Sequence, residues 1–425
     1  MTFKEAQDIL ISRQDFVKKD GLDRVYACLK KLGDPHLRLK TVHVTGTNGK
    51  GSACALFEAA ARAAGLKTGL FISPHLVSMT ERIRFCGANI GEESFASLFE
   101  EVFAAGPDLS FFELLTCMAF LFFERMKTDL AVIEVGIGGR FDTTNVLSRP
   151  ELSVITSIDY DHRKFLGNTL SEIASQKAGI IKPGGVCVAP VLPPEARLEI
   201  SKEAAERCAQ CHFLAPVFEI ADRDWVQNRI VLRHKKTGEV FPFGILGEAQ
   251  VSNATLVWEG LEIMRGMGWP ISRAHVVAGF SSVRWPARFQ ALRGRYAGAE
   301  TIYIVDGAHN EEAARAFAAT WKISPFSGKQ AVFVIGMLQD KERRGILELL
   351  APLAEKFIFT RPESPRSADP CALADELSAM KPGAEVEVQE DIRAALSAAA
   401  RSGTAAVLGS FYLAGSALEI LGEGS

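Results

Sequence analysis

The sequence lacks what a membrane protein, a nucleic-acid scaffold or a disulfide-stapled domain would need. No apolar run reaches the roughly 18 residues of a spanning helix. Neither charge is in excess: 48 Lys and Arg stand against 51 Asp and Glu, a net charge of −3. That balance speaks against binding to nucleic acid or to an anionic membrane surface. The eight cysteines are scattered, with Cys54, Cys117 and Cys187 inside apolar runs, as buried thiols are, whereas a disulfide framework would cluster them. The segment Cys208-Ala209-Gln210-Cys211-His212 has the spacing of a haem-attachment motif or half a zinc site. It lies in a Glu- and Ala-rich helical stretch with no second pair nearby, so it reads as a chance pairing at a helix end. Low-complexity segments and short repeats are absent. The first residues, Met1 to Asp8, carry acids early and no apolar signal segment, so a cytoplasmic protein is expected.

What is present is length and alternation. A chain of 425 residues exceeds one ordinary core and suggests two or three units of about 150 residues. Short β-branched or aromatic runs alternate with Ala- and Leu-rich helical runs, the pattern of βαβ units and a mostly parallel sheet. Strands are expected over Thr41 to Val44, Gly69 to Ile72, Leu130 to Ile133 and Leu152 to Ile158. Around 186 to 245 the texture changes: a strand over Trp225 to Leu232 and a turn at Lys235-Lys236-Thr237-Gly238 predict an antiparallel excursion. Helical patterning resumes from Ala249 to Met267. A second α/β series then follows, with strands over Thr301 to Val305, Ala331 to Ile335, Lys356 to Phe359 and Ala405 to Leu408. The expected fold is α/β: a P-loop domain over 1–297 with a mostly parallel sheet, and a smaller open-sheet domain over 298–425.

The strongest local signal is Val42-His43-Val44-Thr45-Gly46-Thr47-Asn48-Gly49-Lys50-Gly51-Ser52. An apolar strand runs into a glycine-rich turn, and a helical run follows from Ala53 to Ala64. Such a turn points backbone N–H groups at phosphate oxygens, and the helix N-terminus and a lysine add positive charge. A nucleoside triphosphate is the expected ligand. The spacing is unusual: the common P-loop has four residues between its first glycine and its Gly-Lys pair, whereas only Thr47 and Asn48 stand here.

Several strands end in a polar residue, at the edge where open α/β sheets bind ligands. Ser73, Glu134 and His162 are therefore expected on the rim that carries the loop. Nucleotide chemistry needs a divalent cation with hard oxygen ligands, and Glu134, closing an apolar strand, is the first candidate. Arg140, after Gly136-Ile137-Gly138-Gly139, is a candidate anion contact.

The ordered set of motifs is similar to the folylpolyglutamate synthase/dihydrofolate synthase family of Mur-type ATP-dependent ligases. It comprises His43 to Ser52, Ser73-Pro74-His75-Leu76, Phe111-Phe112-Glu113, Glu134 to Val146, Leu166 to Leu170, Gln176 to Pro183, Asp306 to Asn310 and Gly409 to Leu413. The resemblance spans nearly the whole chain. It implies an enzyme that uses ATP to turn a carboxylate into an acyl phosphate, which the amine of L-glutamate then attacks. The acid would be dihydropteroate, the γ-carboxyl of a folate's glutamate tail, or both. Another Mur-type amino-acid ligase and a P-loop NTPase switch are the alternatives.

By the same resemblance, Thr47, Asn48, Gly49 and Lys50 cradle the phosphates, and Asn253, Arg288 and Asp306 contact ATP. Ser73, Glu134 and His162 hold Mg²⁺. Lys177 is the lysine carbamylated by CO₂; it, Lys50 and His309 are the catalytic candidates. Ser110, Phe111, Phe112, Phe141, Asp142 and Thr143 form the pterin side. Ser410 and Arg366 are candidates for the glutamate side, and a monomer is implied. The chain departs from the family pattern at four places. Asp159-Tyr160-Asp161-His162 carries an added carboxylate, Ala287 replaces a glycine, Thr143 replaces an alanine, and the segment after His309 lacks a proline. An alanine at position 287 would be strained if the backbone there needs positive φ.

Overall fold

The computed structural model describes residues 1–14, 21–327, 330–339 and 341–422. Its contacts divide the chain into two compact units. The first comprises Met1–Ser73, Met79–Phe218 and Val251–Val283; the second comprises Pro74–Ser78, Glu219–Gln250 and Arg284–Ser425.

Among the described residues of the first unit, eight strands form one sheet. They are β1 (Thr41–Thr45), β2 (Thr68–Phe71), β3 (Ile83–Phe85), β4 (Ala88–Asn89), β5 (Leu130–Glu134), β6 (Leu152–Ile155), β7 (Val186–Pro190) and β8 (Gln210–Leu214). The order is β4-β3-β2-β5-β1-β6-β7-β8. From β2 to β8 every pairing is parallel, and β3 and β4 add an antiparallel edge. Buried on both faces, β1, β2, β5 and β6 read as nearly continuous apolar runs. Register places Val44 beside Glu134 and Thr45 beside Ile155. The carboxyl ends of β1, β5 and β6 therefore share one rim.

Helices cover both faces. Phe111–Arg125 and Glu92–Ala105 bury Phe95, Phe99, Phe120 and Phe123 against the sheet. Lys50–Ala63 is rich in alanine and has ten buried residues, so it lies close under the strands. All eight cysteines are free. Cys208 falls in a left-handed turn between the helix Pro194–Glu206 and β8, while Cys211 is on β8 itself.

A three-stranded sheet follows in the chain: β9 (Phe218–Asp224), β10 (Arg229–His234) and β11 (Val240–Phe243), in the order β11-β10-β9 with β10 and β11 antiparallel. The strand expected over Trp225 to Leu232 is split. Trp225 and Val226 favour strands, but they form the turn, with Asn228 at φ 53°. Asp224 accepts from the Gln227 N–H, and Asn228 holds Ala291 through both its amide N–H and its oxygen.

The second unit contains β12 (Gln290–Tyr296), β13 (Ala299–Val305), β14 (Val332–Ile335), β15 (Lys356–Thr360), β16 (Glu385–Gln389) and β17 (Thr404–Leu408). Their order is β12-β13-β17-β14-β15-β16. β12 and β13 are antiparallel; the other pairings are parallel. A division at 297/298 would cut the β12–β13 hairpin, whose strands pair from Gln290↔Val305 to Tyr296↔Ala299. The compact boundary lies earlier, at Arg284.

Candidate active site

The phosphate-loop candidate leaves β1 at Thr45 and enters the helix Lys50–Ala63 through Gly49 at φ 82°. Only glycine fits there, for two reasons. The backbone is left-handed, and a Cβ would lie 2.5 Å from Oδ1 of Asn253. Asn253, on the helix Gln250–Gly266, is therefore packed directly on the loop. The next strand end fastens the loop. The Asn48 N–H donates to Ser157 Oγ at 3.0 Å, and the Thr156 hydroxyl donates to the Asn48 carbonyl at 2.5 Å. The Thr47 hydroxyl donates to the Asp159 carbonyl and accepts from the Asp159 N–H, each at 3.0 Å. Thr156 and Ser157 were missed by sequence reading; their signal is that β6 neighbours β1.

Two lysines meet on one oxygen. Lys50 Nζ donates to the Gly46 and Thr47 carbonyls at 3.0 Å, and Lys177 Nζ donates to the same Gly46 carbonyl at 2.8 Å. Lys177 is only 3% exposed, so it is no surface lysine. It sits in the last turn of Leu170–Ala178, a helix that starts with a Thr169/Glu172 capping box. The Lys50 ammonium, beside a helix N-terminus, suits this rim to a polyanion, and Lys177 is brought to the same carbonyl.

Glu134 ends β5 and is 3% exposed. Its Oε2 accepts from the Ser73 N–H at 3.1 Å, so these two candidates are brought together. His162 follows β6 in a left-handed conformation, φ 50°, with Nε2 3.9 Å from Asp161 Oδ2. The added carboxylate of Asp159 accepts from the Tyr160 N–H; it is the Asp159 backbone that meets the loop. Among the described residues no three His, Cys, Asp or Glu side chains form a metal cage. One carboxylate and one hydroxyl are what Mg²⁺ commonly takes from protein when phosphates and water complete its shell, so the donor set fits.

Beyond Glu134 the chain runs flat against Phe112: a Cβ on Gly136 would meet that ring at 2.7 Å. Phe112 in turn lies 5.6 Å from Phe71. Phe141 is 69% exposed, an unused aromatic face beside this surface. Asp142 is buried and saturated with local donors. It accepts from the Ile137 N–H at 3.0 Å, and from the Thr144 N–H and hydroxyl at 3.0 and 2.5 Å. Burial nonetheless pushes its carboxyl above the ordinary value. Thr143 starts the short helix Thr143–Val146 that Asp142 caps. Phe111 lies under the Arg82 guanidinium, 5.1 Å away. Ser110 begins the helix Phe111–Arg125, its N–H held by Glu113 at 2.7 Å. Arg140 differs from expectation. Its guanidinium is paired with Glu203 and donates to the Ser175 carbonyl, so it braces the helix Leu170–Ala178 and is not free for an anion.

In the second unit, Asp306 follows β13 and accepts from the Phe289 and Ala308 N–H groups at 2.7 and 2.8 Å. Burial holds its carboxyl above the ordinary value, an effect that Arg288 offsets only in part. Ala287 is at φ 55° and Phe289 at φ 46°, so the turn presenting Arg288 is strained by about 1 kcal/mol or more at each non-glycine residue. Arg288 lies 4.9 Å above the Phe411 ring, and the His309 ring lies 5.0 Å from the same ring at a tilt of 50°, with Nδ1 2.9 Å from the Gly307 carbonyl. Phe411 thus gathers Arg288 and His309, a role sequence reading did not give it. Ser410 is 1% exposed and caps the helix Phe411–Ile420. Arg366 reaches the Tyr412 hydroxyl at 3.5 Å.

Comparison with known proteins identifies the family. Residues 44–258 match the Mur ligase middle domain, and residues 287–410 match the Mur ligase glutamate ligase domain. The chain is 33% identical over 388 residues to the dihydrofolate synthase/folylpolyglutamate synthase of Bacillus subtilis, covering 86% of each chain. Mycobacterium tuberculosis folylpolyglutamate synthase complexed with ADP superposes with a TM-score of 0.87 at 30% identity, over 99% of this chain and 98% of that one. Escherichia coli FolC in complex with DHPP and ADP gives 0.83 at 28% identity, over 99% and 98%. The chain therefore belongs to the dihydrofolate synthase/folylpolyglutamate synthase family of Mur ligases.

Proposed function

We propose that this protein is an ATP-dependent ligase that joins L-glutamate to dihydropteroate, to the γ-carboxyl of a folate's glutamate tail, or to both. The acceptor carboxylate attacks the γ-phosphorus of ATP, giving an acyl phosphate and ADP. The glutamate amine then attacks the acyl carbon, phosphate leaves, and an amide remains. A carboxylate is a poor acyl donor until its oxygen becomes part of a leaving phosphate, so the enzyme must stabilise a transferring phosphoryl group.

The observation that carries this reading is the convergence of Lys50 and Lys177 on the Gly46 carbonyl at the start of a helix. Thr47, Asn48, Gly49 and Lys50 form the phosphate side: the Thr47 and Asn48 N–H groups go to Ser157 and shape the loop, while the Gly49–Lys50 turn at the helix start and the Lys50 ammonium face the phosphates. Asn253, Arg288 and Asp306 serve the nucleotide, and His309 serves the phosphates. Ser73 and Glu134, with His162, would hold Mg²⁺, which supplies charge neutralisation at the phosphates. Lys177 is read as the carbamylated residue: its neutral amine adds CO₂ and releases a proton. The product keeps one N–H for Gly46 and exchanges a cation for an oxygen ligand. Phe112, Phe141, Asp142 and Thr143, with Ser110 and Phe111 behind them, make the pterin side, where aromatic faces suit a flat heterocycle.

No helix among the described residues is long and apolar enough to cross a membrane. We read the enzyme as a cytoplasmic monomer, which light scattering after size exclusion tests. The deciding assay is ADP release with L-glutamate, offering dihydropteroate and tetrahydrofolate in separate reactions. Turnover that needs both acid and amine supports the ligase. ATP consumption that needs neither sends the assignment to an NTPase.

A further inference from the structure

His43 is the only fully buried imidazole in the central strands of the first unit among the described residues, at 0% exposure. It lies on β1, two residues before the phosphate loop begins. A valine would fill such a position with no polar group to satisfy. His43 Nε2 is instead 2.8 Å from Thr144 Oγ1, and Thr144 Oγ1 is 2.5 Å from Asp142 Oδ1.

The proton directions follow from chemistry. An ionised carboxylate only accepts, so the Thr144 hydroxyl proton points to Asp142. The hydroxyl oxygen can then only accept from His43, which fixes the Nε2–H tautomer. Among the described residues His43 Nδ1 has no partner, as suits a bare lone pair. Asp142 passes the constraint on to the Ile137 and Thr144 N–H groups. A second grip comes from the same strand: the Thr45 hydroxyl donates to the Gly138 carbonyl at 2.6 Å. The strand that launches the phosphate loop thus also holds the loop over residues 136–143.

We infer that His43 is a positioning residue, acting through Thr144 and Asp142 to hold the 136–143 loop in the shape that receives the acid acceptor. This rests on the function proposed above. His43 does not exchange protons with substrate: burial drives its pKa down to about 3, which keeps it neutral. A buried relay linking His43 Nε2, the Thr144 hydroxyl and the Asp142 carboxylate selects one loop conformation where an apolar contact would allow several. Breaking it should disturb the acceptor side and spare the phosphate side, which Asn253, Thr156 and Ser157 hold independently.

The test is Thr144→Val, which removes the hydroxyl and keeps the shape. The KM for the acceptor should rise about tenfold or more, as when a buried group loses its partner, with the KM for ATP little changed. Thr144→Ser should restore it. In ¹⁵N-histidine spectra, His43 should show a protonated Nε2 and a bare Nδ1, and Thr144→Val should move that signal. Equal loss toward ATP and acceptor, a change in stability alone, or an Nδ1–H tautomer overturns the inference. If the wild-type protein turns over neither acceptor, the functional reading fails, and amide exchange decides the relay separately. Faster exchange at Ile137 and Thr144 in Thr144→Val supports it; unchanged exchange overturns it. Where Thr144→Val is too unstable to assay, His43→Gln, which keeps an N–H for Thr144, is compared with His43→Leu, which does not. The same outcomes apply.

Discussion

Buried His43 gives the fold a measurable acid sensitivity. Its pKa falls from 6.5 in the exposed group to about 3, first through burial and then through repulsion from Lys182. A lowered pKa on a base means that the unfolded chain takes the proton more readily. The stability from this group is therefore complete above about pH 6.5 and drains as pH falls toward about 3. The slope in that window is about 1.4 kcal/mol per pH unit. Between about pH 7.5 and 4.5 the wild-type protein should lose about 3 kcal/mol through His43 alone. Urea unfolding of wild type and His43→Gln at both pH values isolates this amount. Glutamine keeps a donor for Thr144 but has nothing to titrate. Asp142, whose carboxyl burial pushes up, acts in the opposite sense in both proteins and largely cancels in the difference. The wild-type curve should fall more steeply by the stated amount. Parallel curves for the two proteins would show that His43 is protonated in the fold and would refute the reasoning.

Three further outcomes are expected. Glu134→Gln keeps the size of the side chain and removes its charge, so kcat should drop at least about a hundredfold while ADP binding by calorimetry stays within a few-fold; an unchanged kcat removes Glu134 from the metal role. Gly49→Ala puts a Cβ 2.5 Å from Asn253 Oδ1 at φ 82°, so thermal unfolding should show a loss of about 2 kcal/mol or more, nucleotide binding should disappear, and adding Asn253→Ala should recover part of the stability. Phe141→Ala removes a side chain that is 69% exposed, so stability should change by no more than about 0.5 kcal/mol, while the acceptor KM rises and the ATP KM does not.

Most of the frame was legible in the linear pattern. Strands ending at Val44, Ile133, Ile335 and Leu408 were read to within a residue or so, because parallel strands buried on both faces leave unbroken apolar runs. Leu152 to Ile158 was read too long. The ladder ends at Ile155, since Thr156 and Ser157 turn their hydroxyls to the phosphate loop. Trp225 to Leu232 failed for a different reason: side chains that favour strands sit in a turn fixed by Asn228 and Ala291, far apart in the chain. The Gly-Thr-Asn-Gly-Lys loop, Glu134 and Asp306 were visible as polar residues closing strands.

By itself the sequence determined the class of fold and where the glycine-rich loop and Glu134 stand at strand ends, since each follows from local spacing and backbone chemistry. Only tertiary structure decided which charges are free and which are spent. Arg140 looks like an anion contact in the chain, yet Glu203, 63 residues away, takes its guanidinium. A lysine in a helical run is by itself an ordinary surface charge, yet a carbonyl 131 residues away holds Lys177 against the loop. A side chain's chemistry depends on its burial and its partners, and for these groups both come from distant parts of the chain.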